Sequence, residues 1–320
     1  MIPTADLPQD AALPGLAAIR SRGLARILPA LGLRGRVELL LRGYSEGKRA
    51  TFEACSGDRR IAIKLCAGDA EPEACLYREL SARGLAPPPD AECGSGARVP
   101  RLLAWDRKLH LLALGWLDGP TVNQLIKEGH GEHAGELASR WFRRAASLSM
   151  LHGHSYGPGS VLRRAPTWVG RLAEADAMLG AEASALLQEL VRTLPPAGSP
   201  GLVHGTLYGR HIIDTGEGPG LIDWDGFGHG PLEFDAGVFL ATVWRIRLTG
   251  SDMECAVTRA EQAFLAGTVG CLDPRALAWY RSAALLNIAH RLETRSKRNW
   301  KARALTLLQE AGRSAVTEAA

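Results

Sequence analysis

The sequence predicts an α+β protein of two lobes, a small strand-rich one followed by a larger, mainly helical one. Three observations carry that reading. Short apolar runs at Val37–Leu41, Ala50–Cys55 and Arg60–Cys66 are separated by Gly, Ser, Asp and charged residues, the signature of an antiparallel meander. Beyond Asp118-Gly119-Pro120, apolar residues recur mostly at helical spacing. At 320 residues, 46% hydrophobic and 22% charged, the chain has the length for two lobes and a globular composition.

The elements follow in order. Leu16, Ile19, Leu24, Ile27, Leu28 and Leu31 give residues 11–31 a helical period. After the three strands, a helix runs from about Pro72 to Arg83, with Pro in its first turn and Gly84 past its end. Ala86–Val99 is a Pro- and Gly-rich loop, and Arg101–Trp105 and Leu109–Leu117 read as two more strands. The first lobe is therefore 1–117 and the second 118–320. In the second, helices are expected over 121–127, 134–152, 167–193, 252–268, 274–293 and 297–312. Leu202–Asp214 and Gly220–Asp225 break that pattern as a hairpin among helices, with Gly, His and Asp at its ends.

Composition narrows the partners. Lys and Arg number 38 against 34 Asp and Glu, a net +4 too mild and dispersed to imply nucleic acid. Cys55, Cys66, Cys75, Cys93, Cys255 and Cys271 show no CxxC pair or metal-like spacing, so free thiols are expected. The N-terminal stretch carries Asp6 and Asp10 rather than a basic-then-apolar start, and Leu109–Leu117 is about half a bilayer-spanning length. A cytoplasmic protein with no membrane partner is expected.

Lys64 stands inside the apolar run Ile61-Ala62-Ile63-Lys64-Leu65. Burying an unpaired ammonium costs several kcal/mol, so Lys64 either points to solvent from an edge strand or has a partner such as Glu73 or Glu79. The most informative stretch is Val203-His204-Gly205-Thr206-Leu207-Tyr208-Gly209-Arg210-His211-Ile212-Ile213, followed by Leu221-Ile222-Asp223-Trp224-Asp225. With Trp116-Leu117-Asp118-Gly119-Pro120, Leu148–His152 and Gly230–Asp235, it resembles the aminoglycoside phosphotransferase and choline kinase-like family. That family has a His-Gly-Asp catalytic loop, an Asn or Gln five residues further on, and a hydrophobic-Asp-Trp-Asp/Glu segment.

The resemblance runs from about Val37 to Leu308 and implies a protein-kinase-like fold with ATP (or GTP) and Mg²⁺ or Mn²⁺ between the lobes. It implies that Lys64 contacts nucleotide phosphates with Glu73 as its partner, and that Asp223 binds metal. Backbone groups around Leu114–Trp116 would take the adenine. Gly43–Arg49, between the first two strands, would form either a lid over the phosphates or a plain hairpin loop.

Two positions depart from the pattern. Thr206 stands where the catalytic Asp belongs, and His211 where the second metal ligand belongs. A hydroxyl cannot accept the substrate proton at neutral pH, a contribution worth about 10²–10⁴-fold. Imidazole is a poor ligand for Mg²⁺ and suits Mn²⁺ or Zn²⁺ better. The expectation is a nucleotide-binding pseudokinase with an unidentified small-molecule or protein partner and impaired or absent phosphoryl transfer. The alternative is an active small-molecule kinase, aminoglycoside phosphotransferase-like, with Asp225 as a relocated base, since i and i+2 share a side in extended chain.

Other motifs are weaker. Gly153-His154-Ser155-Tyr156-Gly157 matches a hydrolase nucleophile elbow, but the periodicity of Trp141, Ala145, Leu148 and His152 puts a helix where the elbow needs a strand. His130, His133, His152 and His154 lack zinc-site spacing. Arg291, Arg295, Lys297, Arg298, Lys301 and Arg303 read as a solvated basic face.

Overall fold

Tight turns with Gly47 at φ 67° and Gly57 at φ 58°, a region open to glycine at little cost, fold the three apolar runs back on one another. They become β1 (Glu38–Ser45), β2 (Arg49–Ser56) and β3 (Arg59–Cys66). The computed structural model describes residues 7–86, 96–149, 152–293 and 299–316. With β4 (Leu102–Asp106) and β5 (Leu111–Gly115) they form an antiparallel sheet in the order β1-β2-β3-β5-β4.

The leading segment is not one helix. Gly23, at φ 76°, breaks it into α1 (Pro14–Arg22) and α2 (Leu24–Ile27), with a 3₁₀ turn at Pro29–Leu31. Leu13, Leu16, Ile19 and Leu31 bury themselves against Phe52, Ile61, Ile63 and Leu65. A side chain at Gly15 would come within 2.7 Å of Leu65 and 2.8 Å of the Leu109 carbonyl, so α1 can lie this close only with glycine there. The helix after β3, α3 (Glu71–Ala82), sits within a residue of its expected span.

Beyond Asp118 the chain is mainly helical. It forms α4 (Val122–Lys127), α5 (Gly131–Ala145), α6 (Pro158–Ala175), α7 (Ala177–Arg192), α8 (Leu232–Trp244), α9 (Glu254–Gly267), α10 (Pro274–Glu293) and α11 (Trp300–Val316). Short strands β6 (His154–Ser155), β7 (Gly201–Val203), β8 (Ile212–Asp214), β9 (Pro219–Leu221) and β10 (Gly228–Gly230) interrupt them, and β6-β10-β7 form one small sheet. Thr121 opens α4 with a capping box to Gln124.

Three expectations need correction. The helix expected over 134–152 stops at Ala145. The span 167–193 is two helices, because Asp176 adopts an extended conformation and caps α7 by accepting from the Met178 and Leu179 amides. The first of them already starts at Pro158. The notable addition is α8: nine of its thirteen residues are buried and the other four half-buried, so beyond Glu233 and Asp235 its sequence is apolar or small on all sides and lacks the one-sided periodicity that marks a surface helix.

The chain divides into two compact units, Met1–Asp118 with Gly220–Ile222, and Gly119–Pro219 with Asp223–Ala320. Cys55, Cys66, Cys75, Cys255 and Cys271 are free thiols, while Cys93 and the 294–298 part of the basic cluster lie outside the described residues. Among the described residues no helix is long and apolar enough to cross a membrane.

Candidate functional site

In the first unit, β3 lies inside the sheet between β2 and β5, which removes the edge-strand reading of Lys64. Lys64 Nζ donates to both carboxylate oxygens of Glu73, each at 2.8 Å, with both side chains buried. Glu79 instead pairs with Arg83 one turn along α3. A pair this buried is held by mutual compensation: each charge has lost water and depends on the other.

Leu114 is placed in β5 with Ala62 on one side and Leu102 on the other, so its main chain is committed to the sheet. Trp116 lies past the end of β5, its ring 4.6 Å from the Arg60 guanidinium and 5.7 Å from that of Arg42, and its indole N–H donates to Asp118. Both arginines converge on buried Glu53. Burial pushes that carboxyl up, but the Arg60 and Arg42 bonds outweigh it and hold the group below its ordinary value. Nothing in the sequence singled out Glu53, because a charge in a strand reads as surface until its partners are known.

The loop at Gly43–Arg49 is the β1–β2 turn. Asp10 accepts the Gly47 N–H at 2.8 Å and the Tyr44 hydroxyl at 3.1 Å, and these bonds, the Gly47 amide foremost, hold its carboxyl below the usual range. An amide of the loop read as a phosphate lid is thus engaged by a carboxylate of the chain.

In the second unit, β7 leads into the His204-Gly205-Thr206 loop. Asp235, in the first turn of α8, accepts the His204 amide at 2.5 Å and the Gly205 amide at 3.0 Å. Burial outweighs those two bonds and pushes the Asp235 carboxyl up to about 7. Gly205 has φ 81°, and a Cβ there would lie 2.1 Å from the Gly226 carbonyl and 2.3 Å from the Tyr156 hydroxyl, so only glycine fits. Tyr156 Oη donates to that same carbonyl.

The Thr206 hydroxyl has His204 Nδ1 3.5 Å away, too long for a strong bond, and among the described residues it bonds no carboxylate. The Thr206 carbonyl, which can only accept, receives a hydrogen bond from His211 Nδ1–H at 2.8 Å. That fixes the tautomer: Nε2 carries the lone pair, accepts Arg210 Nε–H at 3.1 Å and stands 3.4 Å from Asp223 Oδ2. Burial foremost, then the neighbouring His204 and the Arg210 guanidinium, holds the His211 pKa well below its ordinary value, so the ring is neutral.

Asp223 has a left-handed φ of 70°, a conformation costly for a side-chain-bearing residue and kept where a site requires it. Asp225 is exposed, and its charge acts on both His211 and Tyr156. Thr206, His211, Asp223 and Asp225 are therefore gathered in one place.

His211 and Asp223 make a poor donor set for a divalent cation. The lone pair of His211 is already met by a guanidinium, leaving Asp223 as the oxygen ligand of the pair, and Mg²⁺ demands oxygen. No group of three or more His, Cys, Asp and Glu among the described residues is placed to hold a metal ion. His211 therefore does not fit as the second ligand of the Mg²⁺ or Mn²⁺ site that the resemblance implied, and Asp223 is left as its one matched carboxylate. His133 bonds Asp214 at 2.6 Å rather than joining a metal cluster. Ser155 lies within β6 instead of at a strand-to-helix elbow and bonds no histidine among the described residues, so the hydrolase geometry is absent there.

A model of the phosphotransferase enzyme family matches residues 56–280. The chain belongs to that family. An apo structure of a thermostable mutant of aminoglycoside phosphotransferase APH(4)-Ia is similar at TM-score 0.63 and 15% identity, covering 91% of this chain and 98% of that one. A choline/ethanolamine kinase family protein from Mesorhizobium loti is similar at 0.59 and 15%, covering 92% and 93%. A ternary complex of the APH(4)-Ia mutant with ADP and hygromycin B is similar at 0.62 and 14%, covering 91% and 98%. No curated protein sequence matches. At these identities the structural likeness shows the fold, and the chemistry of this phosphotransferase family member rests on its own residues.

Proposed function

We propose that this phosphotransferase family protein binds a nucleoside triphosphate, ATP or GTP, and transfers its phosphoryl group slowly or not at all. Lys64, fixed by Glu73, is the phosphate contact, and the main chain around Trp116 is the adenine contact. The observation that carries the reading is Thr206: at the position of the catalytic aspartate stands a hydroxyl with no carboxylate bonded to it among the described residues. Phosphoryl transfer depends mostly on positioning and electrostatics, so the loss slows the reaction rather than erasing the fold's ability to bind. The neighbours solved with ADP and AMP-PNP support nucleotide binding.

A second reading, an active small-molecule kinase, is favoured by one feature. Asp225 is an exposed carboxylate whose charge reaches Tyr156 and His211.

Calorimetry with ATP and GTP tests the first reading. Binding is expected, little changed by Mg²⁺, Mn²⁺ or EDTA, and at least about 10-fold weaker in Lys64→Ala. That variant strands Glu73 in the core, so the double variant Lys64→Met/Glu73→Leu, checked for folding by circular dichroism, serves as control. Wild-type affinity in the double variant would remove Lys64 from the nucleotide site. Ordinary turnover on small-molecule acceptors would replace the first reading by the second.

A further inference from the structure

In the second unit a cavity of about 340 Å³ is walled by α6, α8 and α10. Its walls are aromatic: Tyr156 packs on Phe234 with ring centroids 4.5 Å apart, Phe234 meets Tyr280 at 5.8 Å, and Trp168 completes the lining. Arg163 and Arg164 also line it, both exposed and without a carboxylate partner among the described residues. No Asp or Glu is among the lining residues. Two of the lining residues each carry an incomplete polar atom. The Tyr280 hydroxyl, on a residue 3% exposed, and Asn287 Oδ1 are buried with no hydrogen-bond partner. Orphaned buried polar groups are costly and rare, and here they belong to residues lining an open space. Tyr156 connects this space to the Thr206 loop, since its hydroxyl bonds the Gly226 carbonyl and a Cβ on Gly226 would lie 3.4 Å from Thr206 Cγ2.

We infer that this cavity binds a small anionic molecule with an aromatic body and a hydroxyl group, a hydroxyaryl carboxylate in chemical class. The guanidinium forks of Arg163 and Arg164 match a carboxylate. The ring stacks within the aromatic walls. The hydroxyl completes Tyr280 or Asn287. A polycation of the aminoglycoside kind would meet two guanidinium groups and no lining carboxylate. The inference rests on the proposed function only in taking this molecule as the acceptor, because its binding requires no nucleotide.

The test compares two probes with the same phenol ring and opposite charge, 4-hydroxyphenylacetate and tyramine, on the full chain without nucleotide by calorimetry. The acid should bind at least about 10-fold more tightly than the amine. Arg163→Glu/Arg164→Glu should invert that order, and Tyr280→Phe should weaken the acid by about 3–10-fold. Equal binding of the two probes, preference for the amine, binding of neither, or an acid affinity unmoved by the double charge reversal overturns the inference. Loss of ATP binding in the Lys64 experiment leaves this result untouched, so the two readings fail separately.

Discussion

At position 206 the question is which group can take a proton, because a threonine hydroxyl at neutral pH takes none. The ring beside it, His204, is buried between Trp224 and His211, and its Nδ1 lies 3.5 Å from the hydroxyl. The ring at 211 is neutral and already bonded at both nitrogens, to the Thr206 carbonyl and to Arg210. Restoring the family's groups should therefore restore chemistry. The double variant Thr206→Asp/His211→Asn is expected to raise residual phosphoryl transfer, with a ceiling of about 10²–10⁴-fold set by what a positioned base supplies. The measurement is initial rate against a fixed acceptor panel. Normal wild-type turnover that survives Thr206→Ala and is destroyed by Asp225→Asn would move the base to Asp225.

At the scale of elements, one helix turn holds the candidate loop. Asp235 at the start of α8 receives the two amides that open the His204–Thr206 segment. Its pKa is raised from 3.8 to about 7 by burial, so the folded state keeps a proton that the unfolded state releases. The associated stability is fully present below pH 3.8, declines as pH rises toward about 7, and is flat above it. The difference in melting temperature between wild type and Asp235→Asn, followed by circular dichroism, should fall across that window and then level off. A difference independent of pH would show that Asp235 is ionised throughout.

What sequence reasoning could reach follows the same physics. The Lys64–Glu73 contact was legible only in part: an ammonium in an apolar strand points to solvent or demands a partner, α3 offered two, and the family resemblance chose Glu73. The hairpin motifs were legible because their Gly, His and Asp residues interrupt helical periodicity. Asp235 as a clamp, Glu53 between two arginines and Tyr156 beside Gly226 were not, since each depends on contacts between residues 70, 11 or some 30 positions apart. Helix α8 escaped because burial on all sides erases its period.

At the scale of the molecule, each unit contains a hydrophobic cluster of its own. One gathers Leu16, Ile19, Phe52, Ile61 and Ile63 from the leading helix and the five-stranded sheet. The other gathers Trp168, Leu172, Leu190, Trp279, Leu285 and Leu307 from α6, α7, α10 and α11. Cavity creation acts on the cluster that loses the side chain, at about 3–5 kcal/mol for Phe→Ala and about 2–5 kcal/mol for Leu→Ala. Because Phe52 and Leu285 are each fully buried in a different cluster, their substitutions should act on different transitions. Scanning calorimetry of the full chain without nucleotide should resolve two transitions, with Phe52→Ala lowering one and Leu285→Ala the other. On the proposed contact with Lys64 of the first unit, ATP should raise the transition that Phe52→Ala lowers and do so less in Lys64→Met/Glu73→Leu. A single transition shifted alike by both core variants would show that the units unfold as one cooperative body.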